Sequence, residues 1–437
     1  MESEAARNRV RTAILLYCFV FVAFNLGVWS WFVVHRHGPH HFPLGERLER
    51  FGDLLRFSGK YQIGKDRRMY DPEHLIGTLF PSNYPPFAVM IYLFLLQVCA
   101  PYALPVMLLT VVGAIGLACT LLWLRARKAK SYRWYVGVAI FATGLLGWGT
   151  EQIVMRANIE GLMWIAVCLG AALYAHRRYG SAGVAFGAAC CIKPYPILWL
   201  VLLLRQRRYR AAAFGAVTAA VVTLASLLVI DPNPLRAYRH ISSKSNFFHD
   251  YILGFRPAEE MKGDHSLLQT LKTITRVIHN HGFHFAKSEY LGYYNDPLGW
   301  KLYVAALALA CLIGGITLWR VWDKPVLNQI FALACITTVL PLVAADYTLS
   351  VLLIPMGFFL IFLLEDVAEG RTKMSLGQML WFVLPCAWIM ATEPLTVLHG
   401  VLKCVAILVL LGASLLIPLP STVLDYGRSE VAQEAGY

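Results

Sequence analysis

Gly187–Leu200 reads GAACCIKPYPILWL. It places Lys193, Pro194 and Pro196 inside an otherwise apolar stretch. A charge is costly in such surroundings, and proline cannot continue a helix. On either side the chain becomes basic: HRRY at His176–Tyr179 before it, and RQRRYR at Arg205–Arg210 after it. Only one apolar block, Ala182–Leu204, separates the two. Basic loops of a membrane protein collect on one side of the bilayer. A single crossing would separate these two loops, whereas two half-length helices that dip in and return would keep them together. The return would then fall at Ile192–Pro196. Broken helices persist at membrane depth only where protein or a watery cavity covers them. CIKPYP is therefore expected to line a cavity. The alternative is an ordinary span with a snorkelling lysine.

The rest of the chain supports a membrane setting. Of its 437 residues 58% are hydrophobic and 15% charged, and its mean hydropathy is +0.55. Soluble domains carry about a quarter charged residues. Apolar blocks of bilayer length recur, among them Thr12–Val34, Leu104–Leu124, Ala212–Ile230, Leu302–Leu318, Leu349–Leu364 and Val401–Leu416. The expected fold class is all-α: one polytopic transmembrane bundle over residues 1–437, with roughly ten to thirteen membrane segments. The first block is read as a retained span rather than a signal peptide, because no small-residue cleavage site follows it.

The net charge of +13 does not point to nucleic acid, because the cations cluster in short loops. Arg7, Arg9, Arg11 and RARKAK at Arg125–Lys130 join the two loops above on the expected inner side. Two long loops, 35–83 and 231–299, then fall on the extracytoplasmic side, and loops of that length are usually functional. The ten cysteines show no CxxC or Cys/His cluster and read as small apolar residues. The run HRHGPHH at His35–His41 lacks the partners of a metal site and reads as a juxtamembrane loop.

Within the first loop, Leu44–Gly59 has an amphipathic pattern suited to a helix lying at the membrane surface. Asp53 and Arg56 are three residues apart and share a face. They form either a solvated surface pair or, with Asp53 as general base, part of a catalytic site. YPPF at Tyr84–Phe87 begins a helix, with proline suited to its first turn.

The order of these features resembles glycosyltransferase family 87, polytopic enzymes of the GT-C fold that use polyprenyl-phosphate mannose. An acidic residue (Asp53), MYDP, NYPPF, Arg156 with ANIEG, and IKPYP followed by RRYR match the family's pattern. Farther on, HSLLQ at His265–Gln269 and LPLVAADYTLSVLLIP at Leu340–Pro355 resemble its later motifs, with Tyr347 where histidine is frequent. The resemblance implies transfer of a hexose, mannose in the family, from a lipid phosphate to an acceptor hydroxyl with inversion. Asp53 would be the catalytic base, while Lys193, Arg156 and His265 would hold the leaving phosphate. Asp346, Tyr347, Arg56 and Tyr84 would contact sugar or acceptor, although Asp346 equally suits a helix cap. No cofactor or divalent metal is expected, since cations can neutralise a single phosphate. The partners expected are the lipid-linked donor, a glycan or glycolipid acceptor and membrane lipid, in the cell membrane with the site facing outward. A secondary transporter and a non-catalytic lipid-binding protein of the envelope are the alternatives.

Overall fold

The computed structural model describes residues 2–34, 54, 84–126, 133–230, 233–236, 238–239, 242, 263–279, 297–392 and 397–421. Among them the chain is helical throughout, with one isolated bridge between Asp264 and Ala345 in place of any sheet. Among the described residues, seven helices are long and apolar enough to cross a membrane: Glu4–Val28, Ala103–Leu124, Trp134–Arg156, Tyr209–Ile230, Trp300–Val321, Asp346–Ala368 and Leu398–Leu416. Six shorter apolar helices fill the space between them. Together these give the polytopic all-α bundle expected from hydropathy.

The elements that position the site are α1 (Glu2–Val34), α2 (Pro86–Val98), α3 (Ala103–Ala126), α4 (Arg133–Leu146), α5 (Trp148–Arg156) and α6 (Glu160–Ala175). They are followed by α7 (Tyr179–Ile192), α8 (Leu200–Arg205), α9 (Tyr209–Ile230), α10 (Leu267–His279), α11 (Pro297–Val321) and α12 (Val326–Val339). A 3-10 helix at Asp346–Leu352 leads into α13 (Leu353–Phe358), then α14 (Leu364–Ala368), α15 (Leu376–Met390) and α16 (Val397–Leu416). One large hydrophobic core joins the bundle, from Val10 and Tyr17 on α1 to Leu410 on α16, and Leu54 of the first long loop is buried in it.

The short helices follow from proline chemistry. α2 starts at Pro86 behind Pro85, as YPPF implied, and its 13 residues make it about 20 Å long. That falls short of a hydrocarbon core of about 30 Å. α7 stops at Ile192 because Pro194 forces the preceding residue out of the helical region. Lys193 is accordingly extended, with φ −143° and ψ 140°. The 3-10 helix Tyr195–Trp199 then turns the chain back into α8.

The reversal is fixed by close helix contacts. A Cβ on Gly183 would strike the Ala211 carbonyl, and one on Gly187 would strike the Gly215 carbonyl. The shared offset makes α7 and α9 parallel neighbours. Leu200, at the start of α8, packs on Gly215, and Leu203 lies toward Gly183, so α8 runs back between them. The Arg208 guanidinium lies 4.9 Å from the centre of the Tyr179 ring, which brings the two basic loops together. The dip and return expected at Ile192–Pro196 is present.

This gives the bundle a basic end and a polar end. At the basic end Arg11 lies over Tyr135, Arg205 lies over Trp322 and pairs with Asp323 at 3.7 Å, and Trp123 packs against Trp134. Asn328, at the start of α12, donates to the carbonyls of Ser414 and Ile417 at the end of α16. At the opposite end the Thr392 amide donates to Asn25 near the end of α1. Lys193, the turn between α5 and α6, and Asp346 lie toward that polar end.

Candidate active site

The turn between α5 and α6 builds one wall of the site. Ala157 closes α5 in the left-handed region at φ 48°. The Tyr92 hydroxyl on α2 spans the turn, donating to the Ala157 carbonyl at 3.3 Å and accepting from the Ile159 amide at 2.8 Å. Asn158 accepts from the Glu160 amide at 2.8 Å and donates to the Tyr84 hydroxyl at 3.4 Å. These bonds satisfy amides that the first turn of α6 leaves open. They also set Glu160 in that first turn, where the helix dipole favours a carboxylate.

Lys193 faces this wall. Its Nζ lies 3.7 Å from Glu160 Oε2; the Glu160 side chain is 0% exposed and that of Lys193 17%. The same ammonium lies 4.7 Å from the centre of the Tyr84 ring and 5.7 Å from that of Tyr347. Both rings are within cation–π range. The helix break therefore delivers a cation beside a buried carboxylate and two tyrosines, with part of its surface still open. Glu160 supplies charge compensation for Lys193 from within the protein.

Asp346 anchors the segment that carries Tyr347. It is the first residue of its 3-10 helix, and no side-chain cap closes that helix. Its carboxylate instead accepts from Lys403 Nζ on α16 at 3.2 Å and lies 3.5 Å from His265 Nδ1. The other His265 ring nitrogen is 3.1 Å from the Thr348 hydroxyl, and the His265 amide donates to the Ala344 carbonyl. Asp264 accepts from the amides of Ala344 and Ser266. The indole of Trp148 on α5 lies beneath Lys403, 5.7 Å from its ammonium. His265, Asp346 and Lys403 are all buried.

Five of the site residues expected from sequence thus fall into two clusters. Lys193, Tyr84 and Tyr347 come together. Asp346 and His265 form a second cluster joined to the first through the peptide between Asp346 and Tyr347. His265 is buried, and its two ring nitrogens face Asp346 and Thr348. Arg156 ends α5 at the same turn that carries Glu160. Asp53 and Arg56 lie outside the described residues, although Leu54 between them is seated in the core. Among the described residues, no three His, Cys, Asp or Glu side chains converge so as to hold a metal ion.

Two residues escaped the sequence reading. Glu160 stands within the ANIEG motif but looks like an ordinary first-turn carboxylate. Lys403 is an ionisable residue inside a membrane-length apolar helix, the signal that drew attention to Lys193.

The description of glycosyltransferase family 87 matches residues 83–345, more than half of the chain. The chain belongs to glycosyltransferase family 87. The matched stretch contains Tyr84, Glu160, Lys193 and His265, and it ends immediately before Asp346. No curated protein and no solved structure matches the chain. Membership makes this membrane protein a glycosyltransferase, acting on a sugar donor and an acceptor.

Proposed function

We propose that this family 87 glycosyltransferase is a GT-C enzyme that moves a hexose, mannose by family resemblance, from a polyprenyl phosphate to an acceptor hydroxyl. The observation that carries this reading is Lys193 at the helix break, between Tyr84 and Tyr347, with part of its surface open. A cation so placed can face the phosphate on which negative charge grows as the glycosidic bond breaks. Arg156 supplies a second cation from the neighbouring turn. The tyrosine rings suit contact with a sugar, and Asp346 and His265 hold the Tyr347 side of that space.

The reaction is a single displacement. The acceptor oxygen attacks the anomeric carbon, the bond from that carbon to the phosphate oxygen breaks, and the configuration inverts. Asp53 takes the hydroxyl proton, and Arg56 steadies the acceptor beside it. The lipid phosphate leaves with the bonding electrons. No metal ion takes part, because Lys193 and Arg156 meet the charge on a single phosphate.

A lipid-linked donor also accords with the interior of the bundle. An apolar cavity of about 530 Å³ is lined by Ile115, Leu122, Ile140, Trp164, Leu353 and Phe358, among others. Trp164 donates to the Ser350 carbonyl at 2.8 Å, which joins the cavity wall to the 3-10 helix that starts at Asp346. Such a space fits a hydrocarbon chain better than a sugar. The excess of cations at the other end supports a reading in which the polar end faces out of the cell membrane. The acceptor is a glycan or glycolipid of the envelope.

Asp53→Asn tests the assignment. Asn keeps the shape but cannot take a proton, so transfer from radiolabelled polyprenyl-phosphate mannose should fall by about two to four orders of magnitude. Matched expression and insertion of the variant complete the comparison. Near-normal transfer would remove Asp53 from the mechanism, and an unlabelled acceptor pool with wild type would favour transport or lipid binding.

A further inference from the structure

Lys403 belongs to α16, far beyond the stretch that the family description matches. It is nevertheless buried against Asp346, one residue from the tyrosine that flanks Lys193. The contact is part of a built junction. Asp264 is bridged to Ala345, and its carboxylate accepts the Ala344 and Ser266 amides. A Cβ on Gly400 would strike the Asp264 carbonyl, so α16 sits directly on this bridge with no side chain between. One turn along α16, Lys403 reaches Asp346 at 3.2 Å, over the face of Trp148. His265 completes the hold, with one ring nitrogen near Asp346 and the other near Thr348. Residues 346 and 348 are thus tied to the segment that enters α10 and to α16, and Tyr347 stands between them.

We propose that Lys403 is a positioning residue of the active site: by holding Asp346 it sets the Tyr347 ring against Lys193, so α16 completes the phosphate-binding pocket. A buried carboxylate needs a cation and hydrogen bonds to stay charged. Without the Lys403 ammonium, Asp346 turns away from α16 toward another partner or water, and that movement carries the adjoining peptide of Tyr347. This inference rests on the reading of Lys193 as the phosphate-facing cation.

Farnesyl phosphate, a short polyprenyl monophosphate, is the probe. Its affinity is measured for the full-length protein in nanodiscs, beside melting temperature. The variants are Lys193→Met, the neutral pair Asp346→Asn/Lys403→Met, and the three substitutions together. The neutral pair removes both charges at once, which spares the fold a lone buried charge. It should keep its melting temperature yet bind the probe at least about fivefold more weakly. In the Lys193→Met background it should cost nothing further, because its effect runs through Lys193. Binding by the neutral pair within about twofold of wild type overturns the positioning role while leaving the reading of Lys193 intact. Undiminished binding by Lys193→Met overturns that reading and this inference with it. If the neutral pair does not fold, Gly400→Ala decides. Alanine favours the helix but pushes α16 off Asp264. It should weaken binding by about threefold or more, and wild-type affinity in that variant overturns the proposal.

Discussion

Lys193 Nζ lies 3.7 Å from Glu160 Oε2, and the two side chains differ in access: the lysine is part-exposed, the glutamate fully buried. The carboxylate cannot leave for water without unpacking the start of α6, whereas the ammonium can turn toward the opening. The pair is therefore asymmetric, a fixed anion with a cation that retains reach.

Removing the cation separates stability from chemistry. Lys193→Met takes away a charge that Glu160 faces, and should lower stability by about 1–3 kcal/mol. That is less than the loss for a fully buried pair, because Lys193 is partly solvated. Glu160→Gln/Lys193→Met should regain most of the melting temperature but not the transfer of label from polyprenyl-phosphate mannose. Lys193→Arg should restore transfer only in part, since the guanidinium is larger and presents its donors differently. Recovery of transfer together with stability in the neutral double variant would make Lys193 a purely structural residue.

The glycine contact between α7 and α9 sets where the break occurs. Gly187→Val forces its side chain into the Gly215 carbonyl. Overpacking of this kind costs about 1–3 kcal/mol. Both the melting temperature and transfer should fall, because Lys193 caps the displaced helix. Unchanged values for both would mean that α7 and α9 do not touch as described.

Tyr92→Phe removes one hydroxyl and leaves the buried Ile159 amide without its acceptor. A buried donor left unsatisfied costs about 1–3 kcal/mol. The loss should show as a lower denaturation midpoint and slower transfer, since Asn158 and Glu160 flank Ile159 in the chain. A midpoint equal to wild type would show that this hydroxyl does not hold the turn between α5 and α6.

The break at Lys193 was legible in sequence because two prolines and two flanking basic loops point the same way. The bundle was legible because apolar length is set by the bilayer. The Lys193–Glu160 pair was not, because a glutamate at a helix start already has a local explanation in the dipole. Tyr347 could be placed near the site by its motif, but its contact with Lys193 depends on tertiary packing. Lys403 offered a signal: a lysine inside VLKCVAILVL is as conspicuous as one inside CIKPYP. Its partner Asp346 lay on another helix, and periodicity along one helix carries no such pairing.

Orientation can be read from single cysteines in a background stripped of the ten native ones. Tyr102→Cys, just before α3 and toward the polar end, should react with an impermeant thiol reagent on intact cells. Arg207→Cys, in the basic turn after α8, should react only after permeabilisation. The reverse pattern would put the polar end inside.

The most direct measurement of the central claim is a donor comparison. Membranes carrying wild type or Lys193→Met receive either radiolabelled polyprenyl-phosphate mannose or the matching nucleotide sugar, with endogenous synthesis of the lipid-linked donor blocked. The account predicts that label passes into lipid or polymer from the polyprenyl-phosphate donor, not from the nucleotide sugar, and that Lys193→Met largely abolishes it. Transfer from the nucleotide sugar, or transfer from the lipid donor that ignores Lys193, would contradict it.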